Sequence, residues 1–156
     1  MTNRGFITGV SGLILNDAER EFIRAERPWG FILFKRNIES PAQVAALIGE
    51  LRKAAGMAEA PVLIDQEGGR VQRLGPPHWP VYPPGASFGA LYDIDPKLGL
   101  AAARLSSRLI AADLIDLGIS VDCLPLADVP VAGADAVIGN RAYGTEPGKV
   151  AAIARA

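Results

Sequence analysis

The chain has 156 residues, 49% of them hydrophobic and 21% charged, with a formal net charge of -1, a composition that fits one ordinary globular domain. The balanced charge leaves no electrostatic footprint for nucleic acid, and no apolar run approaches the roughly 18 residues a membrane span requires, so neither partner is expected. Cys123 is the only cysteine and His78 the only histidine, which excludes an internal disulfide and leaves too few soft ligands for zinc; no metal and no cofactor are expected.

Phe6 to Leu15 is apolar but broken by glycines and polar residues, with no small-residue cleavage site behind it. It reads as a first strand rather than a signal peptide, and a cytoplasmic location follows. Asn16, with Glu19 three residues on, has the form of a helix start. Trp29 to Phe34 reads as a second, buried strand. Ser40-Pro41 opens a helix with Val44, Leu47, Ile48 and Leu51 as its apolar stripe, and Gly56 ends it. Ala60 to Ile64 is a short third strand suited to cover on both faces. Asp95-Pro96 opens a long helix with Leu98, Leu105, Leu109 and Ala112 along one face, closed by Gly118. Ile119 to Leu124 reads as a fourth strand with Cys123 in the core, and Pro147 begins a last helix.

Strand and helix therefore alternate, which argues for parallel strands with crossover connections. A closed (β/α)8 barrel takes about 250 residues, more than are present, and the chain stops inside an alanine-rich helical pattern. It is expected to be a fragment; a small doubly wound open sheet is the structural competitor. Two segments, Gln66 to Ile94 and Pro125 to Pro147, read as long irregular loops after strand ends, a length that is uncommon without function. Five prolines stiffen the first, Trp79 and Tyr82 give it apolar weight, and His78 reads as a loop residue.

The densest chemistry is Asp65-Gln66-Glu67-Gly68-Gly69-Arg70-Val71-Gln72-Arg73, immediately after the third strand. Two adjacent glycines release the chain from the strand direction, and the arginines offer planar forks suited to carboxylates or to sugar hydroxyls. On the residues alone two readings stand: a ligand site, or a turn whose charges neutralise one another. Lys35 and Arg36 read as structural or simply solvated, and Asp122 and Asp128 as loop buttresses.

The string IDQEGGRVQR, with GFILFKRNI (Gly30 to Ile38) before it and IGNRAYG (Ile138 to Gly144) after it, resembles the amino-terminal half of glycoside hydrolase family 3, and within it the bacterial β-N-acetylhexosaminidases of cell-wall recycling. The resemblance implies an α/β fold, the amino-terminal half of a (β/α)8 TIM barrel, with residues 1–156 forming part of that domain. It also implies a retaining exo-β-N-acetylglucosaminidase acting on muropeptide-type saccharides that contain N-acetylglucosamine. By motif position Asp65, Arg73 and Arg141 match family residues that contact the terminal sugar, while Glu67 and Arg70 are expected to brace them. Asp65 and Glu67 invite assignment as the paired carboxylates of a retaining glycosidase. In the family, however, the nucleophile is an aspartate on a later strand and the acid/base a histidine in a KHFPGHG-type segment. That segment does not occur here, so no catalytic residue is expected in this chain. A β-glucosidase or β-xylosidase of the same family, and a noncatalytic carbohydrate-binding half-barrel, are the rival readings. Open sheet edges make self-association of the truncated chain an expectation.

Overall fold

The computed structural model describes residues 3–133 and 135–156; Ala134, in the second long loop, lies outside them. The element order is β1 (Arg4–Thr8), α1 (Asp17–Glu26), β2 (Pro28–Leu33), α2 (Pro41–Ala55), β3 (Val62–Ile64), β4 (Gln66–Gly68), β5 (Val71–Gln72), α3 (Gly85–Ile94), α4 (Pro96–Leu117), β6 (Val121–Asp122) and α5 (Pro147–Arg155), with single 3-10 turns at Lys35–Asn37 and Gly139–Arg141. The chain divides into two compact units, Met1–Asp65 with Asp113–Asp122, and Gln66–Ala112 with Cys123–Ala156.

The first unit holds a parallel sheet in the order β1-β2-β3-β6, the arrangement expected from strand–helix alternation. Phe31, Leu33, Val62 and Ile64 alternate along β2 and β3, pair in register and are completely buried, as strands covered by helices require. The opposite row is less covered: Ile32 and Leu63 are half-buried and Val121 is 37% exposed. Val44, Leu47, Ile48 and Leu51 of α2 are buried as the stripe demands. Ser40 caps that helix, accepting from the Gln43 amide, and Gly56 ends it at φ +64. From the last turn of α2, Arg52 donates to the carbonyls of Ala60 and Gly118, tying the starts of β3 and β6 together.

β1 is shorter than the apolar run suggests, ending at Thr8. The side-chain amide of Asn37, wholly buried, donates to Val10 O and Gly12 O at 3.1 and 2.8 Å, and Gln43 donates to Leu13 O at 2.7 Å. These side chains occupy carbonyls of residues 10–13 that a continued strand would have paired. Arg36 adds a bond to Val10 O and lies over the Phe34 ring, so the FKRN sequence is a clamp on the first loop.

The same loop meets α1 through its capping box. Glu19 accepts from the amides of Ser11 at 2.6 Å and Asn16 at 3.1 Å, while Asn16 accepts from the Glu19 amide. Partial burial pushes the Glu19 carboxyl up, but those two amides and the charge of Arg36 outweigh it and hold it below the ordinary value of 4.5. A carboxyl lowered by folding contributes stability above its ordinary value and loses it as pH falls through the folded one. The Ser11 and Asn16 amide proton shifts should therefore titrate together with a midpoint under 4.5; a midpoint at or above that value contradicts the clamp.

In the second unit β4 and β5 form an antiparallel hairpin, and α3 lies in a segment read as irregular from sequence. A core cluster of Ala103, Tyr143, Val150 and Ile153, with Phe88, Tyr92, Leu100 and Val129 against it, joins α3, α4 and α5. The leucine face of α4 is not the buried one. Leu98, Leu105 and Leu109 are at least half exposed and Ala112 is exposed, whereas Ala103, Ile110, Leu114 and Leu117 are buried. Close approach explains the turn of the helix: a Cβ on Gly99 would sit 2.5 Å from Tyr92 Cα, so only a small residue fits on that side. β6 likewise pairs through just two residues, and Cys123, expected in the core, is exposed where the chain has left the sheet. No helix among the described residues is long and apolar enough to cross a membrane.

Candidate functional site

Asp65 follows β3 directly, at the carboxyl end of a parallel strand, and is half-buried. It is the last residue of that stretch of the first unit; Arg73 and Arg141 belong to the second.

Within the second unit the hairpin is fixed by two glutamines that sequence reading passed over. Gln66 is completely buried: its carbonyl oxygen accepts from the Arg73 and Leu74 amides at 2.9 and 3.0 Å, and its amide donates to Leu74 O at 3.0 Å. Gln72 donates to Leu74 O and Pro80 O and accepts from the Tyr82 amide. The proline-rich loop is thus bonded to the hairpin, with Trp79 and Tyr82 buried, while His78 is exposed. Gly68 and Gly69 both take positive φ, +87 and +58, and a Cβ on Gly68 would lie 2.3 Å from Pro83 O. Only glycine serves there.

Glu67 is held between buried Gln66 and Gly68 and reaches Arg141, 74 residues on, as a bidentate ion pair: Arg141 Nε donates to Oε2 at 2.8 Å and Nη2 to Oε1 at 2.7 Å. Side-chain exposure is 7% for Glu67 and 20% for Arg141, so the pair is largely withdrawn from solvent. Arg70 donates to the carbonyls of Ala136, Val137 and Ile138, at the entrance to the 3-10 turn that carries Arg141. Both residues expected to brace the turn therefore hold the segment of the third motif as well. α3 closes on that segment from another side: a Cβ on Gly85 would meet Arg141 O at 2.0 Å and one on Gly89 would meet Tyr143 O at 1.7 Å. The second unit brings Glu67, Arg70 and Arg141 together; Arg73 sits at the far end of the hairpin, half-buried, its amide fixed by Gln66. Among the described residues no group of three or more His, Cys, Asp or Glu side chains could hold a metal ion.

Parallel strands taken in sequence order through helices, with the charged motif after the carboxyl end of the third, define the class: the first half of a (β/α)8 barrel, in which sites form at that end. The chain belongs to glycosyl hydrolase family 3, whose N terminal domain it matches over residues 8–156. It is 38% identical over 150 residues to a beta-hexosaminidase of Xanthomonas campestris, covering 96% of this chain and 44% of that protein, and 40% identical over 152 residues to one of Xanthomonas axonopodis. The crystal structure of NagZ from Neisseria gonorrhoeae in complex with N-trifluoroacetyl-D-glucosamine is similar with a TM-score of 0.87 at 28% identity, over 98% of this chain and 46% of that one. A family 3 beta-N-acetylglucosaminidase from Paenibacillus is similar with a TM-score of 0.83 at 32% identity, over 96% of this chain and 28% of that one. The chain thus spans under half the length of these relatives.

Proposed function

We propose that the chain is the sugar-binding half of a retaining exo-β-N-acetylglucosaminidase that, when complete, acts in the cytoplasm on muropeptide-type fragments of peptidoglycan during cell-wall recycling. Asp65, Arg73 and Arg141 bind the hydroxyls of the terminal N-acetylglucosamine; an ionised carboxylate accepts from paired hydroxyls and a guanidinium donates to their oxygens. The nucleophile and the acid/base lie outside residues 1–156. The observation that carries this reading is the Glu67–Arg141 pair, which joins the second and third family motifs across 74 residues. The N-acylglucosamine ligand of the Neisseria relative supports the sugar assigned.

The test compares the 156-residue chain, a version extended to the length of the relatives, and its Asp65→Ala variant on an aryl β-N-acetylglucosaminide. The short chain is expected to be inactive and the extended one active. Asp65→Ala should lower kcat/KM by about a hundredfold or more, since contacts to sugar hydroxyls that tighten as the ring distorts supply several kcal/mol in glycosidases. Turnover by the short chain near the extended rate would make Asp65 and Glu67 the working carboxylates, and a preference for aryl glucosides or xylosides would move the assignment to a sister branch.

The half-covered row of Ile32, Leu63 and Val121 also favours self-association of the chain. Sedimentation at tens of micromolar should show dimers or larger species; a single monomeric boundary speaks against it.

A further inference from the structure

We propose that Glu67 sets the charge class of sugar accepted at Arg141, making it a reader of neutral hydroxyls and excluding anionic sugars. This rests on the reading of Arg141 as a sugar contact. A guanidinium with its charge uncompensated is among the strongest protein ligands for carboxylate and phosphate, because its fork matches their two oxygens. In this chain one complete side of that fork, Nε and Nη2, is already matched by the two oxygens of Glu67 at 2.8 and 2.7 Å, and Nη1 makes a long bond to Val137 O at 3.5 Å, so the guanidinium is balanced by one carboxylate and the pair carries no net charge. The partner cannot easily step aside. Glu67 lies between Gln66, whose side chain is bonded on both its ends, and Gly68, where the chain packs so near Pro83 that a Cβ would stand 2.3 Å from Pro83 O.

An anionic group competing for the guanidinium would leave the Glu67 carboxylate, 7% exposed, without its counter-charge, and stranding a buried charge is costly. A hydroxyl imposes no such exchange: it accepts from the guanidinium as a single neutral oxygen, with Glu67 still in place. Glu67 is therefore a positioning residue that also selects. It holds the arginine at the mouth of its segment and cancels the attraction that would otherwise draw in acidic or phosphorylated sugars.

The test is calorimetric titration of the full chain with N-acetylglucosamine, its 6-phosphate and its 3-O-lactyl ether, N-acetylmuramic acid. The wild type is expected to bind the neutral sugar at least tenfold more tightly than either anion. In Glu67→Gln the affinity for one or both anions, relative to the neutral sugar, should rise about tenfold. Glu67→Gln/Arg141→Gln, neutral again, should lose that gain. Should Glu67→Gln fail to keep its fold by circular dichroism, Glu67→Asp, with its carboxylate drawn back by one methylene, should give a smaller gain of about threefold. An unchanged ratio in the folded single variant, or a gain retained in the double variant, overturns the proposal while the sugar assignment survives. No binding of N-acetylglucosamine by the wild type removes the sugar assignment and this proposal with it.

Discussion

Gly89→Ala is expected to destabilise the second unit by about 3 kcal/mol or more, measured as a lowered urea midpoint, since overpacking against a rigid neighbour costs 1–3 kcal/mol and at times more. The added methyl would stand 1.7 Å from Tyr143 O and 2.8 Å from Tyr143 C. The obstruction is backbone, so no rotamer change relieves it; α3 and the 141–143 segment must separate by more than an ångström. Gly85, one helical turn earlier, faces Arg141 O at 2.0 Å, and Gly85→Ala should act in the same direction. The displaced segment carries Arg141, so under the proposed function a loss of sugar binding should accompany the loss of stability. Gly49, in the middle of α2 with nothing within 4 Å of its would-be Cβ, provides the contrast: Gly49→Ala should stabilise by about 0.5–1 kcal/mol through helix propensity alone. Equal effects at positions 49 and 89 would refute the packing account.

The second large effect is expected at the ion pair. Removing one member of a buried pair costs about 3–5 kcal/mol because the survivor is left uncompensated. Arg141 keeps 20% exposure and Glu67 only 7%, so the costs should differ. Arg141→Ala, which strands the more buried charge, should lose about 3 kcal/mol, and Glu67→Ala about 2, discounted because water reaches the arginine. The double variant should lose less than the sum, with a coupling of about 1–3 kcal/mol. Arg20–Glu50, at 2.8 Å but with side chains 27% and 45% exposed, should contribute under about 1 kcal/mol. Distance alone does not rank these pairs; burial does. A cycle at 67 and 141 no larger than one at 20 and 50 would show that the Glu67 pair is solvent-screened after all.

What the sequence announces here is whatever is specified locally. The Asn16/Glu19 box, the Ser40-Pro41 start and the Gly56 stop each rest on residues within a few positions of one another and stand as expected; the parallel order follows from the alternation of elements, while β1 and β6 are shorter than their apolar runs. α3 is illegible because it follows a stretch with five prolines, its N-cap is Pro84, which has no capping side chain, and its buried positions are Gly85 and Gly89 rather than an apolar stripe. Those glycines answer to Arg141 and Tyr143, more than fifty residues away. The leucines of α4 obey helical spacing and still face outward, because spacing gives the period of a face and not which face meets a neighbour. At the candidate site the charged residues were visible at once from their density. Their pairing was not: Glu67 could as well have met Arg70 or Arg73, and only the fold chooses Arg141. Gln66, Gln72 and Asn37 escaped notice since an uncharged amide carries no sign in a sequence, however many backbone groups it serves.

Gln66 has a consequence for which changes of chain length this protein tolerates. Its amide meets the Arg73 and Leu74 amides and the Leu74 carbonyl at once, and so measures the distance along the chain from position 66 to position 74. A residue inserted or deleted between them cannot be absorbed by sliding the hairpin, because all of those bonds would be lost together around a completely buried side chain. The stretch behaves as a fixed ruler, and Arg73 is placed by counting as much as by packing. Length variation is free to accumulate in exposed stretches such as Ala127–Asp128 instead, so alignment gaps within 66–74 would mark relatives that have abandoned this way of presenting an arginine.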